Sequence, residues 1–132
     1  MTKAYLRRCK AEAKEVETIK AQIETLRELR GFTASCFDSN GGHSTETQSK
    51  VERTVERIVM LEAKYADKLE SYMTIRHTIE DAITDLPIKQ QNLIRWYYCT
   101  GLTWEEVAEK LDVSYTHVHR LHAAALIALR ES

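Results

Sequence analysis

Residues 101–130, GLTWEEVAEKLDVSYTHVHRLHAAALIALR, decide the fold. Thr103-Trp104-Glu105-Glu106 fits the S/T-x-x-E capping box, in which the Thr hydroxyl and the Glu carboxylate each take up a backbone amide that the first turn leaves unpaired, so a helix starts at Thr103. Val107, Ala108 and Leu111 give that helix one apolar face, and Ala108 is small enough to let a second helix cross closely. Asp112 falls at the following turn, where the backbone takes a positive φ that Asp tolerates better than most residues with a side chain. Ser114 is placed to cap a second helix, with Val118, Leu121, Ala125, Leu126 and Leu129 as its buried stripe. A capping box, a small residue, a turn residue and apolar anchors at these offsets predict a helix-turn-helix.

The outward face of the second helix is equally specific. At 100° per residue, Thr116, His119, Arg120 and Ala123 lie opposite Val118 and Leu121, with Tyr115 and His117 on the flanks. Arg120 has the fork geometry to bond O6 and N7 of a guanine, and Thr116 can donate to a base or meet a thymine methyl. Tyr115, His117 and the helix N-terminus capped by Ser114 suit phosphate contacts. The candidate DNA-binding residues are therefore Ser114, Tyr115, Thr116, His117, His119 and Arg120. Within 114–130 the formal charges are Arg120 and Arg130 alone, so the helix is locally basic although the chain carries a net charge of -1. Glu105, Glu106 and Glu109 on the preceding helix are expected to face solvent or a protein partner.

Three histidines raise two further readings. His119 and His122 share a face at i, i+3, but no Cys or carboxylate lies close in sequence to complete a tetrahedral set, so neither a metal nor another cofactor is expected. Protonation of His117, His119 and His122 would strengthen DNA binding as pH falls below about 6.5.

Upstream, Asp85-Leu86-Pro87 marks a boundary, because Pro87 disfavours helix in the residue before it and fits the first turn of a new one. That new helix carries Ile88, Leu93, Ile94, Trp96, Tyr97 and Tyr98 as core, and Gly101 ends it. Between residues 2 and 30 there is one Gly-free and Pro-free run, with Val16, Ile19, Ile23 and Leu26 at three-four spacing and Leu6, Cys9 and Leu29 broadening the stripe. Residues 31–50 shift to Gly, Ser, Thr and Asn and are expected to hold a loop over 31–45, pinned by Phe32 and Phe37. A second helix over 46–85, with Thr45 and Gln48 as a capping pair, carries a seam through Val51, Val55, Ile58, Glu62, Tyr65, Leu69, Tyr72, Arg76, Ile79, Ile83 and Leu86. Glu62 and Arg76 interrupt the apolar pattern, either specifying register or snorkelling at the seam's edge. The expected architecture is all-α: an antiparallel coiled-coil hairpin over 1–85, followed by a helix-turn-helix module over 86–132.

The stretch LPIKQQNLIRWYYCTGLTWEEVAEKLDVSYTHVHRLHAAALIALR, residues 86–130, resembles region four of sigma-70-type RNA polymerase sigma factors. It shares the Leu-Pro opening, the aromatic first helix, Gly101, the Glu-Glu-Val-Ala run, Val113-Ser114 and the closing Ala-Leu and Leu-Arg pairs. The resemblance implies promoter recognition, with base readers at Tyr115, Thr116 and Arg120 and backbone contacts near His117 and His119. His117, His119, Ile127 and Ala128 stand where the family often has basic residues. A charged hairpin in front of a sigma-like end also looks like the ArpU- and RinA-type late transcription regulators of phages and prophages.

Composition bounds the remaining options. With 4 Gly, 1 Pro and 30% charged residues in 132, long helices are favoured over sheet. Cys9, Cys36 and Cys99 form no CxxC pair and are odd in number, which argues against a disulfide framework and for the cytoplasm. No stretch approaches a membrane span. No phosphate loop, nucleophile motif or carboxylate pair stands out, so the chain does not read as an enzyme. Double-stranded DNA is the expected partner, with RNA polymerase and a second copy of the chain, joined through the hairpin, as further ones. A polymerase-docking adaptor and a phage terminase small subunit are the alternative functions.

Overall fold

The computed structural model describes residues 1–40 and 45–131, those at 32–40, 45–47 and 131 by backbone only. Every regular element among the described residues is helical: α1 (Lys3–Asn40), α2 (Thr45–Ala82), α3 (Ile88–Ile94), which continues into a π-helical turn (Arg95–Cys99), α4 (Trp104–Leu111) and α5 (Tyr115–Glu131). Among the described residues no helix is long and apolar enough to cross a membrane. The chain forms two compact units, one made of residues 15–69 and the other of 1–14 together with 70–132. The expected boundary at 86 thus falls inside the second unit.

In the unit of residues 15–69, α1 and α2 run antiparallel, as the ion pairs Glu15–Lys68 and Arg27–Glu62 require. Val16, Ile19, Ile23 and Ile58 are buried between them, while Leu26, Val51 and Val55 are half-buried and Leu29 is exposed. Glu62 sits at the seam's edge, its carboxylate accepting from the Arg27 guanidinium in a pair that is about half exposed, so it contributes at most about 1 kcal/mol.

The composition shift after Arg30 does not end the first helix. α1 passes through Gly31 to Asn40, and α2 starts at Thr45, so the expected loop over 31–45 is helical over most of its length. A helical Gly costs only about 1 kcal/mol relative to Ala and no Pro follows it, so a long helix already propagating can absorb Gly31. The expected pins at Phe32 and Phe37, and the Thr45 half of the capping pair, lie outside the described side chains.

The second unit is built around one core, to which five helices contribute. Leu6 and Cys9 from α1, Ile75, Ile79 and Ile83 from α2 and the turn after it, Leu93, Ile94, Tyr98 and Cys99 from α3 and its π turn, Val107, Ala108 and Leu111 from α4, and Val118, Ala125 and Leu129 from α5 are all buried together. Cys9 and Cys99, separated by most of the sequence, meet as free thiols with Cys9 Sγ donating to Cys99 Sγ at 3.7 Å. The shared hydrogen bond and burial push the Cys9 thiol well above its ordinary range. Cys36 lies outside the described side chains.

Two polar clamps hold α2 to α3. Arg95 places Nε 2.8 and 3.0 Å from the two Glu80 carboxylate oxygens and also donates to Asn92 and Gln91. That hydrogen bond from Arg95 holds the Glu80 carboxyl below the ordinary carboxylate range. Gln91 in turn donates to the carbonyls of Thr84 and Leu86, closing the corner ahead of Pro87. At the far end of the π turn, Thr100 N–H bonds back to Arg95 and Leu102 N–H to Trp96, with Gly101 at φ 82 making the reversal. The Cys99 carbonyl there accepts from the Tyr72 hydroxyl of α2 at 2.5 Å, a partner from outside the helix for a terminal carbonyl.

Candidate nucleic-acid interface

The local chemistry that sets α5 in place is contained in residues 101–118. Thr103 Oγ1 accepts from Glu106 N–H at 3.2 Å while the Glu106 carboxylate reaches back to Thr103 N–H at 3.4 Å, completing the capping box. Asp112 ends α4 in the left-handed region at φ 55, ψ 47, and Val113 N–H returns to the Ala108 carbonyl at 3.1 Å. Ser114 Oγ then accepts from His117 N–H at 3.1 Å and starts α5. Each of these restraints spans only three to five residues, so the turn angle between α4 and α5 is dictated locally.

The sides of α5 follow from that start. Val118, His122, Ala125 and Leu129 are buried, and Leu121 and Leu126 are half-buried beside them. On the opposite side Thr116, His117, Arg120 and Ala123 are exposed, together with Ser114, Tyr115 and His119. Tyr115 and His119 form one flank, their rings 4.7 Å apart and edge to face, and His119 also meets Trp104 at 5.1 Å. All six candidate DNA-binding residues are thus solvent-facing on α5 or at its start; Ser114 spends its hydroxyl on the cap.

His122 is not a surface histidine. It sits i+4 from Val118 and i+3 before Ala125, in phase with the buried stripe, and that spacing is the signal by which the sequence could have assigned it to the core. Its Nε2 lies 2.6 Å from the Tyr98 hydroxyl, and the Trp104 ring centroid is 4.7 Å away. Burial pushes Tyr98 up to about 12, and burial, with Lys3 and His119 adding to it, pushes His122 down to about 4. Both rings are neutral at physiological pH and share one hydrogen bond between the phenol oxygen and Nε2. His122 therefore adds no charge for DNA, which removes it from the expected set of pH-dependent contacts.

The same burial makes His122 a stability determinant. Its folded-state value lies below the ordinary 6.5, so as pH falls the unfolded chain takes the proton first. Stability carried by the neutral ring is whole above about pH 6.5, is lost as pH falls towards 4, and levels off below that; the loss is on the order of 3 kcal/mol. Urea midpoints at pH 7 and pH 4 are expected to differ more for the wild type than for His122→Gln. An equal drop in both would show that the ring does not carry this dependence.

The sequence also gave no sign of what lies beside the Tyr115–His119 flank. A cleft of about 280 Å³ is lined by Lys3, Arg7 and Lys10 of α1 with Tyr97, Tyr98, Trp104, His119 and His122. Lys10 Nζ stands 3.5 Å over the Tyr97 ring, whose other face stacks on Trp104 at 3.6 Å and 14°. The amino group of Met1 donates to the Leu129 carbonyl at 3.3 Å, tying the start of α1 to the C-terminal end of α5. No group of three or more His, Cys, Asp or Glu among the described residues is arranged to hold a metal ion.

Neither a curated protein nor a solved structure matches the chain. Residues 82–131 match the family described as Sigma-70, region 4, so the segment that carries α3, the π turn, α4 and α5 is a helix-turn-helix of that type.

Proposed function

We propose that the chain is a sequence-specific DNA-binding transcription regulator of phage or prophage type, a non-enzymatic cytoplasmic activator that works with RNA polymerase. The observation that carries this is the exposed face of α5: Thr116 and Arg120 stand clear of the core on a helix whose N-terminus is capped and whose match is to Sigma-70, region 4. In this reading α5 enters the major groove, Arg120 and Thr116 read base edges, and Tyr115, His117 and His119 meet the phosphates on either side. Exposed Val59 and Met60 on α2 support pairing of two chains through the helical pair.

A second reading has one observation in its favour. Glu105, Glu106 and Glu109 are exposed on α4, and α5 carries only Arg120 and Arg130 as formal cations, a surface as suited to a basic protein partner as to DNA. The module would then dock on polymerase without reading sequence. Selection of bound duplexes from a random-sequence pool separates the two: a regulator enriches a short consensus, whereas capture of polymerase with no enriched duplex would replace this reading with the adaptor.

A further inference from the structure

We infer that the first two turns of α1 form a phosphate-binding flank of the DNA interface, with Lys3 and Arg7 as the contacting cations at the cleft beside Tyr115 and His119. This rests on the proposed placement of α5 in the groove. It concerns residues outside the 82–131 match, which reach the site only through the fold.

Three features point to a phosphate. Lys3, Arg7 and Lys10 converge on one cleft from i, i+4 and i+7 positions of a single helix, and Lys3 and Arg7 are exposed. The cleft's lining contains no Asp or Glu to neutralise them. Its aromatic wall is not a stacking platform, because Trp104 and Lys10 already occupy the two faces of Tyr97. An anion without a base to stack therefore fits better than a nucleobase or a free nucleotide. The position selects the backbone of duplex DNA as the source: His119 lines the cleft and lies on α5 directly before Arg120, on the flank that would face a groove wall. The α1 cations would thereby supplement a recognition helix that has only two of its own. Lys10, held over Tyr97, mainly positions the cleft.

The test is the salt dependence of duplex binding by the full chain. Lys3→Gln combined with Arg7→Gln is expected to weaken binding roughly tenfold or more at physiological salt. The loss should be equal on a selected and an unrelated duplex, and should lower the slope of log affinity against log salt by about 2. Arg8→Gln, an exposed cation on α1 that does not line the cleft, should leave the slope within half of one phosphate's share. A double variant with wild-type helicity and an unchanged slope would overturn the inference while leaving the reading of α5 intact. An equal drop in slope for Arg8→Gln would overturn it too, since the effect would then be general charge. A wild-type chain that binds no duplex would remove both this inference and the proposed function.

Discussion

A fragment of residues 86–132 is expected not to fold cooperatively, although it contains the whole helix-turn-helix as sequence motifs delimit it. Leu6, Cys9, Ile75, Ile79 and Ile83 are buried against Leu93, Ile94, Tyr98, Cys99 and Leu129, and all five lie outside the fragment. Burial of an aliphatic side chain contributes about 1.5–3 kcal/mol, so their joint loss is on the order of 10 kcal/mol, comparable with the whole stability of a typical domain. The fragment also loses Glu80, the Arg95 partner, and Tyr72, the partner of the Cys99 carbonyl. It should show low helicity and no sigmoidal thermal transition. Joining residue 14 to residue 70 by a short Gly/Ser turn removes the other unit while keeping every one of these groups, and that protein is expected to melt cooperatively. Cooperative melting of the 86–132 fragment with full helicity would contradict the shared core.

This dependence changes what the hairpin is for. The sequence pattern shows two amphipathic helices ahead of a DNA-binding module, and the simplest division treats the first as a handle and the second as self-sufficient. In the structure the ends of the two long helices are part of the module's core, with Ile79 of α2 and Ile83 of the turn after it buried there. Truncations made at the motif boundary would therefore confuse loss of folding with loss of a partner surface.

What was legible in the sequence was what short-range chemistry decides. The Thr103–Glu106 box, the positive φ at Gly101 and Asp112, the Ser114 cap and the exposed set on α5 all depend on residues within about five positions of one another. The seam residues Val16, Ile19, Ile23 and Ile58 were likewise readable, because a period near 3.6 names a buried face without naming what covers it. The Cys9–Cys99 contact and the convergence of Lys3, Arg7 and Lys10 on His119 were not, since each joins segments some ninety or more residues apart and follows only from packing. The π turn belongs to the same class: nothing in Arg-Trp-Tyr-Tyr-Cys marks it, and its terminal carbonyl is met from α2. Gly31 departs from expectation for the opposite reason: the composition after Arg30 points to a loop, but one glycine costs little in a long helix. His122 is in phase with the core stripe although its residue type matches the exposed His117 and His119, and type is a poor guide where a Tyr hydroxyl pairs with the ring.

In the proposed function α5 reads DNA through its exposed face, and Arg120 is the side chain on which that reading depends most. Its side chain lies on solvent-facing helix, away from the buried stripe, so Arg120→Ala should leave helicity and melting close to wild type. A bidentate contact to guanine contributes about 1–3 kcal/mol of discrimination, so the variant should lose about 5- to 150-fold in affinity for the selected duplex. On an unrelated duplex it should lose much less, because only a phosphate's share of the attraction is gone there. The decisive measurement is the ratio of affinities for the selected and unrelated duplexes, taken at one fixed salt concentration for wild type and Arg120→Ala. This ratio is expected to collapse in the variant; an unchanged ratio in a folded Arg120→Ala protein would overturn the proposal that α5 is the reading helix.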